Sequence, residues 1–179
     1  MKISIIYDSR TGNTQTMAGY IAEGIEKVDG AEARAFLFSE LSELTDETGH
    51  TAANEALSYV RESDALIFGC PTYMAGPTAD FYTFLEKMGG KLNGAGKLAG
   101  VFATEQYIHG GADVTMLRIA EHLLVFGMML YSGGGSKGKP VIHFGPVEVS
   151  TMGKENFYEL FVTYGTRFAT QANSLVPCC

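Results

Sequence analysis

Residues 7–18 read YDSRTGNTQTMA, and this stretch leaves an apolar run for hydroxyl, amide and glycine residues before it takes up helical spacing. Free backbone N–H groups and the positive end of a helix dipole at such a junction favour an anion. Side chains add four neutral hydrogen-bond donors within six residues: Ser9, Thr11, Asn13 and Thr14. An ordinary helix cap needs one hydroxyl. The stretch therefore predicts a phosphate site, around which Gly12 lets the backbone close.

Two later loops, residues 70–76 and 104–111, also hold residues that suit a ligand site. His109 is a candidate acid–base group because imidazole titrates near neutral pH, and a solvent-facing or helix-capping histidine is an equal alternative. Cys70 is interpreted as a small buried hydrophobe and not as a redox thiol. The remaining histidines show no metal-ligand spacing with each other or with cysteines, so no metal is expected.

Apolar runs alternate with helical stripes along the chain. Strands are predicted at residues 2–7, 33–38, 65–68, 96–104 and 128–131, with a second extended piece at 141–144. Helical spacing covers residues 14–27, 52–62, 81–88, 114–124 and 155–175. This alternation calls for right-handed crossovers and a parallel sheet covered on both faces. We predict one domain over residues 1–179, an α/β fold with a doubly wound five-stranded parallel sheet in three layers.

In such a sheet, ligands bind beyond the carboxyl ends of the strands, which is where the three candidate loops meet. The apolar stripe of the fourth main helix is predicted to be Val114, Leu117, Ala120 and Leu124. Residues 133–138, GGGSKG, match a G-x-G-x-x-G pattern, but no helix is predicted after them. We expect a mobile surface loop there.

Charge and composition restrict the partners. A formal net charge of −7 with only 13 Lys and Arg argues against a nucleic-acid partner. An acidic surface suits neutral small molecules or basic proteins. The first apolar run is too short for a signal peptide or a membrane span, so no membrane partner and a cytoplasmic location are expected. The terminal pair Cys178 and Cys179 is expected to be an exposed tail and not a lipidation signal.

The segment IIYDSRTGNTQTMAGYI resembles the flavodoxin signature, with Ser9, Gly12 and Thr14 at the spacing of that signature. The family binds flavin mononucleotide (FMN) through this loop. The resemblance therefore implies these phosphate ligands: Ser9, Arg10, Thr11, Gly12, Asn13 and Thr14.

Two longer segments resemble one branch of the flavodoxin-like superfamily, the tryptophan-repressor-binding-protein type of NAD(P)H:quinone oxidoreductase. FGCPTYMAGPTADFYTFLEKMGG has that branch's G-x-P-T opening and closing Gly-Gly. GKLAGVFATEQYIHGGADVTMLRIAEHLLVFGM has its Gly-Gly loop and its helix ending in Gly-Met. The resemblance implies isoalloxazine contacts on one side from Pro71, Thr72, Tyr73, Met74, Ala75 and Gly76. On the other side it implies Thr104, Glu105, Gln106, Tyr107, Ile108, Gly110 and Gly111.

The chain departs from that branch at two places. Val125 and Phe126 stand where the branch has histidines bordering the ring, and we expect Phe126 to supply aromatic contact instead. A short LNGAG replaces a longer insertion with a tryptophan, and this chain has no Trp. Both departures fall where nicotinamide or quinone would stack, so the second substrate is left open.

The resemblance implies an FMN-dependent oxidoreductase that takes electrons from NAD(P)H and passes two of them to a quinone or a related acceptor. It also implies a homodimer or homotetramer. The alternative is a flavodoxin-type carrier that docks on basic partners and passes single electrons, which the acidic balance suits. A non-catalytic flavin-binding module is a third alternative. The Gly-Gly pattern of the third loop favours the enzyme.

Overall fold

Six parallel strands form one sheet within residues 1–42 and 52–175, the residues that the computed structural model describes. The order is β2-β1-β3-β4-β5, with β6 also paired to β4. The strands are β1 Lys2–Tyr7, β2 Glu32–Leu37, β3 Ala65–Pro71, β4 Leu98–Glu105, β5 Met129–Leu130 and β6 Val147–Val149. The helices are α1 Asn13–Glu26, α2 Phe38–Ser42, α3 Ala52–Glu62, α4 Ala79–Met88, α5 Ala112–Val125 and α6 Tyr158–Asn173.

The α/β doubly wound parallel sheet of the prediction is confirmed, and its strand order reverses between β1 and β3. Every residue of β4, and every residue of β3 before Pro71, is buried, as expected for central strands covered on both faces. One buried cluster lies between the sheet and α3, α4 and α5, and another lies between the sheet and α1 and α6. The structure therefore has the three layers that were expected.

The fifth position of the sheet is divided between two short strands. β5 pairs with Leu98 and Ala99 at the start of β4, and β6 pairs with residues 103–105 at its end. The predicted extended piece at 141–144 is not a strand, because only Ile142 is buried there while Val141 and Phe144 are exposed. The strand lies instead at Val147–Val149, which brings the following residues to the edge where ligands bind.

The predicted buried face of α5 is wrong. Val114, Leu117 and Leu124 are 44 to 58% exposed, and α5 buries Met116, Ile119 and Leu123 instead. This helix carries apolar residues around most of its circumference, so helical spacing alone fits more than one face. The exposed residues leave an apolar surface on the outside of the protein.

α6 packs closely on α1, and two glycines make this approach possible. A Cβ on Gly24 would lie 2.1 Å from the carbonyl oxygen of Val162, and one on Gly165 would lie 2.2 Å from that of Ile21. The hydroxyl of Thr166 donates a 2.8 Å hydrogen bond to the carbonyl of Gly24. α1 is thus fixed against both α6 and the sheet, and this holds its first turn in place.

Residues 133–138 do not open an α-helix; they contain a short 3-10 turn, Gly135–Lys137. The segment is also tied down, contrary to the expectation of a mobile loop. The Arg167 guanidinium on α6 donates hydrogen bonds to four backbone carbonyls, those of Gly133, Gly138, Lys139 and Pro140. Among the described helices, none is both long and apolar enough to cross a membrane. The pair Cys178 and Cys179 lies outside the described residues.

Candidate functional site

A cavity of about 480 Å³ opens at the carboxyl ends of the central strands. Its volume lies within the range of ordinary cofactor and small-molecule sites. All three predicted loops contribute to it, together with the residue that follows β6. The lining residues are Thr11, Asn13, Pro71, Thr72, Tyr73, Met74, Thr104, Glu105, Gln106 and Ser150.

The first loop presents the start of α1 to this cavity. Gly12 stands at the N-cap with φ +83° and makes no side-chain cap, so its left-handed backbone turns the chain into the helix. The Ser9 hydroxyl accepts a 3.2 Å hydrogen bond from the N–H of Gln15. The backbone N–H groups of Asn13 and Thr14 have no intrahelical acceptor, because they belong to the first turn. Free N–H groups and the positive end of a helix dipole are the features that suit an anion, and the prediction of a phosphate site here stays a prediction.

Two polar side chains of the first turn are fastened to the sheet and do not point freely into solvent. The Thr14 hydroxyl is buried and lies 3.0 Å from the Thr104 hydroxyl at the end of β4. The Asn13 amide donates a 2.7 Å hydrogen bond to Ser150, and the Ser150 hydroxyl lies 3.0 Å from a carboxylate oxygen of Glu148. The Thr14 hydroxyl is therefore engaged in a contact within the protein, whereas its backbone N–H can still bind a ligand.

Arg10 does not line the cavity and instead contacts two neighbouring side chains. Its guanidinium lies 3.2 Å from Asp80 and 4.8 Å from the centre of the Tyr73 ring. Both charged side chains are about half exposed, so this ion pair contributes little to stability. The Arg10 contact with Tyr73 joins the first loop to the second.

The second loop turns tightly after Tyr73. Tyr73 and Gly76 exchange backbone hydrogen bonds of 2.9 and 3.0 Å, and the two residues between them have φ values of +49° and +56°. Met74 is fully exposed and Tyr73 is 44% exposed. An exposed aromatic ring and an exposed thioether side chain both suit contact with an aromatic ligand.

The second and third loops touch at Gly111. Its φ is +100°, and a Cβ there would lie 2.6 Å from the Cβ of Ala75. The N–H of Thr72 donates a 2.7 Å hydrogen bond to the carbonyl of Thr104, which joins the bases of the two loops. The two loops are therefore held at a fixed separation. Gly111 allows them to approach each other, and it does not line the cavity.

Thr72 provides a direct test of whether a ligand fits. Its hydroxyl oxygen is buried, lies beside the cavity and has no hydrogen-bond partner among the described residues. Because most buried polar groups are paired, this oxygen is a candidate contact for a ligand or an ordered solvent molecule. The flat apolar loop residues, the free N–H groups of the α1 first turn and this hydroxyl together fit a flavin mononucleotide.

His109 does not line the main cavity. It has φ +64° and lines a neighbouring cavity of about 420 Å³ behind the third loop, which also includes Ile108 and Asp113. Glu105 lines both cavities and accepts a 3.0 Å hydrogen bond from the N–H of Ala112 at the start of α5. The catalytic role of His109 stays a prediction.

The other implied contacts stand around the cavity and do not line it. Tyr107 and Ile108 are more than 60% exposed at the tip of the third loop. Implied residues outside the lining set are Ser9, Arg10, Gly12, Thr14, Ala75, Gly76, Tyr107, Ile108, Gly110 and Gly111. Among residues 1–42 and 52–175, no group of three His, Cys, Asp or Glu side chains is arranged to hold a metal.

Cys70, at the end of β3, is fully buried. Burial raises the pKa of its thiol to about 12. The N–H of Thr78 donates to the sulfur at 3.4 Å. A thiol with this pKa stays protonated near neutral pH and is a poor nucleophile, which agrees with its interpretation as a small hydrophobe.

Phe126 does not border the cavity of its own chain. α5 begins at Ala112 beside the site and runs about 21 Å before Phe126 follows it. The Phe126 ring packs on Gly89, where a Cβ would come within 2.2 Å of it. Phe126 therefore does not reach a ring bound in the cavity of the same chain, and that expectation is wrong for a single chain.

Ser150 and Glu148 are the site residues that sequence reasoning missed. Their place beside the cavity depends on the position of β6. The sequence predicted an extended piece at residues 141–144 and not this strand. The alternation of Val147, Glu148 and Val149, followed by a hydroxyl, was the available signal for a strand leading into the site.

Comparison with known proteins decides the family. Residues 1–138 match the family model described as NADPH-dependent FMN reductase. The chain belongs to this family. It is an FMN-dependent oxidoreductase with the flavodoxin-like fold, as the resemblance implied.

Relatives and solved structures agree with this assignment. The chain is 36% identical to an NAD(P)H dehydrogenase (quinone) of Aromatoleum aromaticum, over 73% of this chain and 69% of the relative. It is 33% identical to a flavodoxin of Clostridium saccharobutylicum, over 98% of this chain and 99% of the relative. A solved flavodoxin, WrbA-like protein from Agrobacterium tumefaciens superposes with a TM-score of 0.72 at 25% identity, covering 97% of this chain and 98% of that one.

Proposed function

We propose that this chain, as a single FMN-binding domain, transfers two electrons from NAD(P)H to a quinone or a related small acceptor through FMN held in the 480 Å³ cavity. The observation that carries the proposal is the convergence of three loops on one cavity that has free first-turn N–H groups at one end and exposed Tyr73 and Met74 at the other. An anionic group and a flat aromatic ring are the two parts of FMN.

Different residues of the chain bind the phosphate and the ring of the cofactor. The phosphate is bound by the backbone of residues 9–14, with Thr11 and Asn13 on the cavity wall. Tyr73 and Met74 cover one face of the ring, and the segment Thr104–Gln106 forms the opposite wall. FMN supplies the hydride and electron chemistry when bound, while the protein fixes its position and the polarity around it.

The exposed position of Met74 leaves room for the second substrate. A side chain that is fully exposed beside a ligand cavity is free to move when a planar donor or acceptor stacks there. His109 stands next to this region in the second cavity and is proposed as the acid–base group that exchanges a proton with the acceptor. Each substrate would occupy this position in turn.

We further propose that the protein acts in the cytoplasm as a homodimer or homotetramer. The exposed apolar residues of α5, Val114, Leu117, Leu124 and Val125, support self-association, because several large apolar side chains exposed on one helix are typical of contact sites.

The proposal is tested by adding NADH or NADPH and benzoquinone to purified protein loaded with FMN. Fast oxidation of the nicotinamide with no reductase partner is expected. Binding of FMN but no nicotinamide oxidation would favour the single-electron carrier, a candidate that the Clostridium saccharobutylicum flavodoxin supports through its alignment over nearly the whole chain.

A matched pair of variants tests the cavity itself. Thr72→Val removes the unpaired hydroxyl and should weaken FMN binding by about tenfold, the equivalent of one good hydrogen bond. Thr83→Val removes an exposed threonine outside this cavity and should leave FMN affinity unchanged. Equal FMN affinities for the two variants would contradict this placement of the cofactor.

A further inference from the structure

Glu148 is a buried acid that does not line the cofactor site itself and is linked to it through Ser150. Its side chain has no exposed surface, and one carboxyl oxygen, Oε1, has no hydrogen-bond partner among the described residues. The other oxygen, Oε2, lies 3.0 Å from the Ser150 hydroxyl. Ser150 and its partner Asn13 both line the 480 Å³ cavity, but Glu148 does not.

Few charges surround this carboxyl. The residue opposite it on β4 is Thr104, and the residues of the α1 first turn are Asn13 and Thr14, all of them neutral. Lys154, in the 3-10 turn Lys154–Phe157, is the charged side chain whose field favours the ionised form. Burial outweighs this field and the Ser150 hydrogen bond, and it raises the pKa of Glu148.

The protonation state of Glu148 fixes what Ser150 offers to the cavity. An ionised Glu148 can only accept, so the Ser150 O–H must point at it and only lone pairs remain for a ligand. A protonated Glu148 donates its own O–H to Ser150. Because Ser150 also accepts from Asn13, its O–H is then free to point into the cavity as a donor.

We propose that Glu148 is a positioning residue that takes up a proton when the phosphate of FMN binds, and that this proton turns Ser150 from an acceptor into a donor toward the ligand. The inference rests on the proposed binding of FMN in this cavity. It lies outside the match to the family, which ends at residue 138. A dianionic phosphate near the first turn of α1 adds negative charge close to Glu148 and so favours its neutral form.

The experiment is calorimetric titration of FMN into the apoprotein between pH 7 and pH 9, in pairs of buffers with different enthalpies of ionisation. Above pH 7 the phosphate is already mostly dianionic, since its second pKa is about 6. The wild type should show net proton uptake on binding FMN. Its dissociation constant should rise with pH, by up to about tenfold per pH unit once free Glu148 is ionised.

Glu148→Gln is the deciding variant, because its amide cannot ionise and can donate to Ser150 as the protonated acid does. It should bind FMN with no proton uptake and with an affinity that does not change across this pH range. Glu159→Gln removes an exposed glutamate on α6 and should keep the wild-type uptake. Riboflavin, which lacks the phosphate, should bind to the wild type without uptake.

Each result supports or overturns the inference. Wild-type binding of FMN with no net proton uptake, or equal uptake in Glu148→Gln, would overturn it while leaving the proposed function intact. If the apoprotein does not bind FMN at all, the proposed function and this inference both fail. If Glu148→Gln does not fold, the buffer-pair measurement on the wild type still decides, and Ser150→Ala should abolish its proton uptake.

Discussion

The hydroxyl of Thr14, in the first turn of α1, lies 3.0 Å from the hydroxyl of Thr104 at the end of β4, and both side chains are almost completely buried. This contact joins the first turn of the helix to the strand that carries the third loop. A hydrogen bond between buried hydroxyls is strongly felt when one partner is lost, because the other is left unsatisfied.

Removal of one member of this pair should cost more than removal of both. Thr104→Val should lower the free energy of unfolding by about 1–3 kcal/mol, since valine keeps the shape but leaves the Thr14 hydroxyl without its partner. The double variant Thr14→Val, Thr104→Val should recover part of that loss. Urea denaturation of the apoprotein measures these two variants and Thr14→Val alone, and a double variant whose loss equals the sum of the two single losses would contradict the coupling.

Gly111→Ala should separate the second and third loops. The φ of +100° and the 2.6 Å approach to Ala75 leave no room for a Cβ, so we expect a loss of more than about 2 kcal/mol in unfolding free energy and weaker FMN binding. Gly30→Ala is the control, because Gly30 has φ +74° with open space around it. That variant should lose only about 1–2 kcal/mol and keep its FMN affinity.

The sequence was sufficient for the parts of the fold that local patterns determine. The first strand and the helix at residues 52–62 were predicted with the bounds that the structure has, because local sequence signals mark where each begins and ends. The three loops of the site followed, since a parallel sheet brings the carboxyl ends of its strands to one edge. These features depend little on distant contacts.

Features that depend on tertiary packing were not predictable in the same way. The buried face of α5 was wrong because Met116 and Leu117 are both apolar, and only the sheet decides which of them is covered. Ser150 was missed because residues 141–144 and 147–149 are both short segments that could form a strand, and pairing with β4 selects the second. The contact between Glu148 and Ser150 depends on this strand pairing and could not be predicted from the sequence.

The exposed residues of α5 should hold the oligomer together if this face is the contact between copies. Leu117→Glu combined with Leu124→Glu should convert a dimer or tetramer into monomers, because unpaired charges would be buried at the contact. Light scattering after size exclusion measures the mass. Val141→Glu, at a residue that is 55% exposed on another part of the surface, is the control and should leave the mass unchanged. An unchanged mass for the α5 variant would exclude this face.

Arg167 should contribute more to stability than an ordinary surface arginine. Its four contacts with carbonyls of residues 133–140 hold that segment against α6, so Arg167→Ala should lower the free energy of unfolding by about 2–3 kcal/mol. Arg118→Ala removes an exposed pair with Glu121 and should cost less than about 0.5 kcal/mol. Thermal or urea denaturation distinguishes the two, and equal losses would mean that the segment is not held by Arg167.

Cys70 should make stability depend on alkaline pH. Its pKa is raised to about 12 by burial, whereas an unfolded cysteine ionises near pH 8.5–9. Above that lower pKa the unfolded state releases a proton that the folded state keeps, so the free energy of unfolding falls as pH rises. The stabilisation is complete below the unfolded pKa, and the slope approaches about 1.4 kcal/mol per pH unit between the two pKa values.

The measurement is urea denaturation at intervals from pH 8 to pH 10, comparing the wild type with Cys70→Ala. Tyrosines whose pKa is raised in the folded protein, Tyr59 among them, also lower the stability near pH 10. They do so equally in both proteins, so the difference between the two curves isolates Cys70. Cys70→Ala should be less stable at pH 8 because a buried side chain is shortened, but its stability should fall less steeply with pH. Parallel curves for the two proteins would show that the Cys70 thiol ionises as readily in the folded protein as in the unfolded chain.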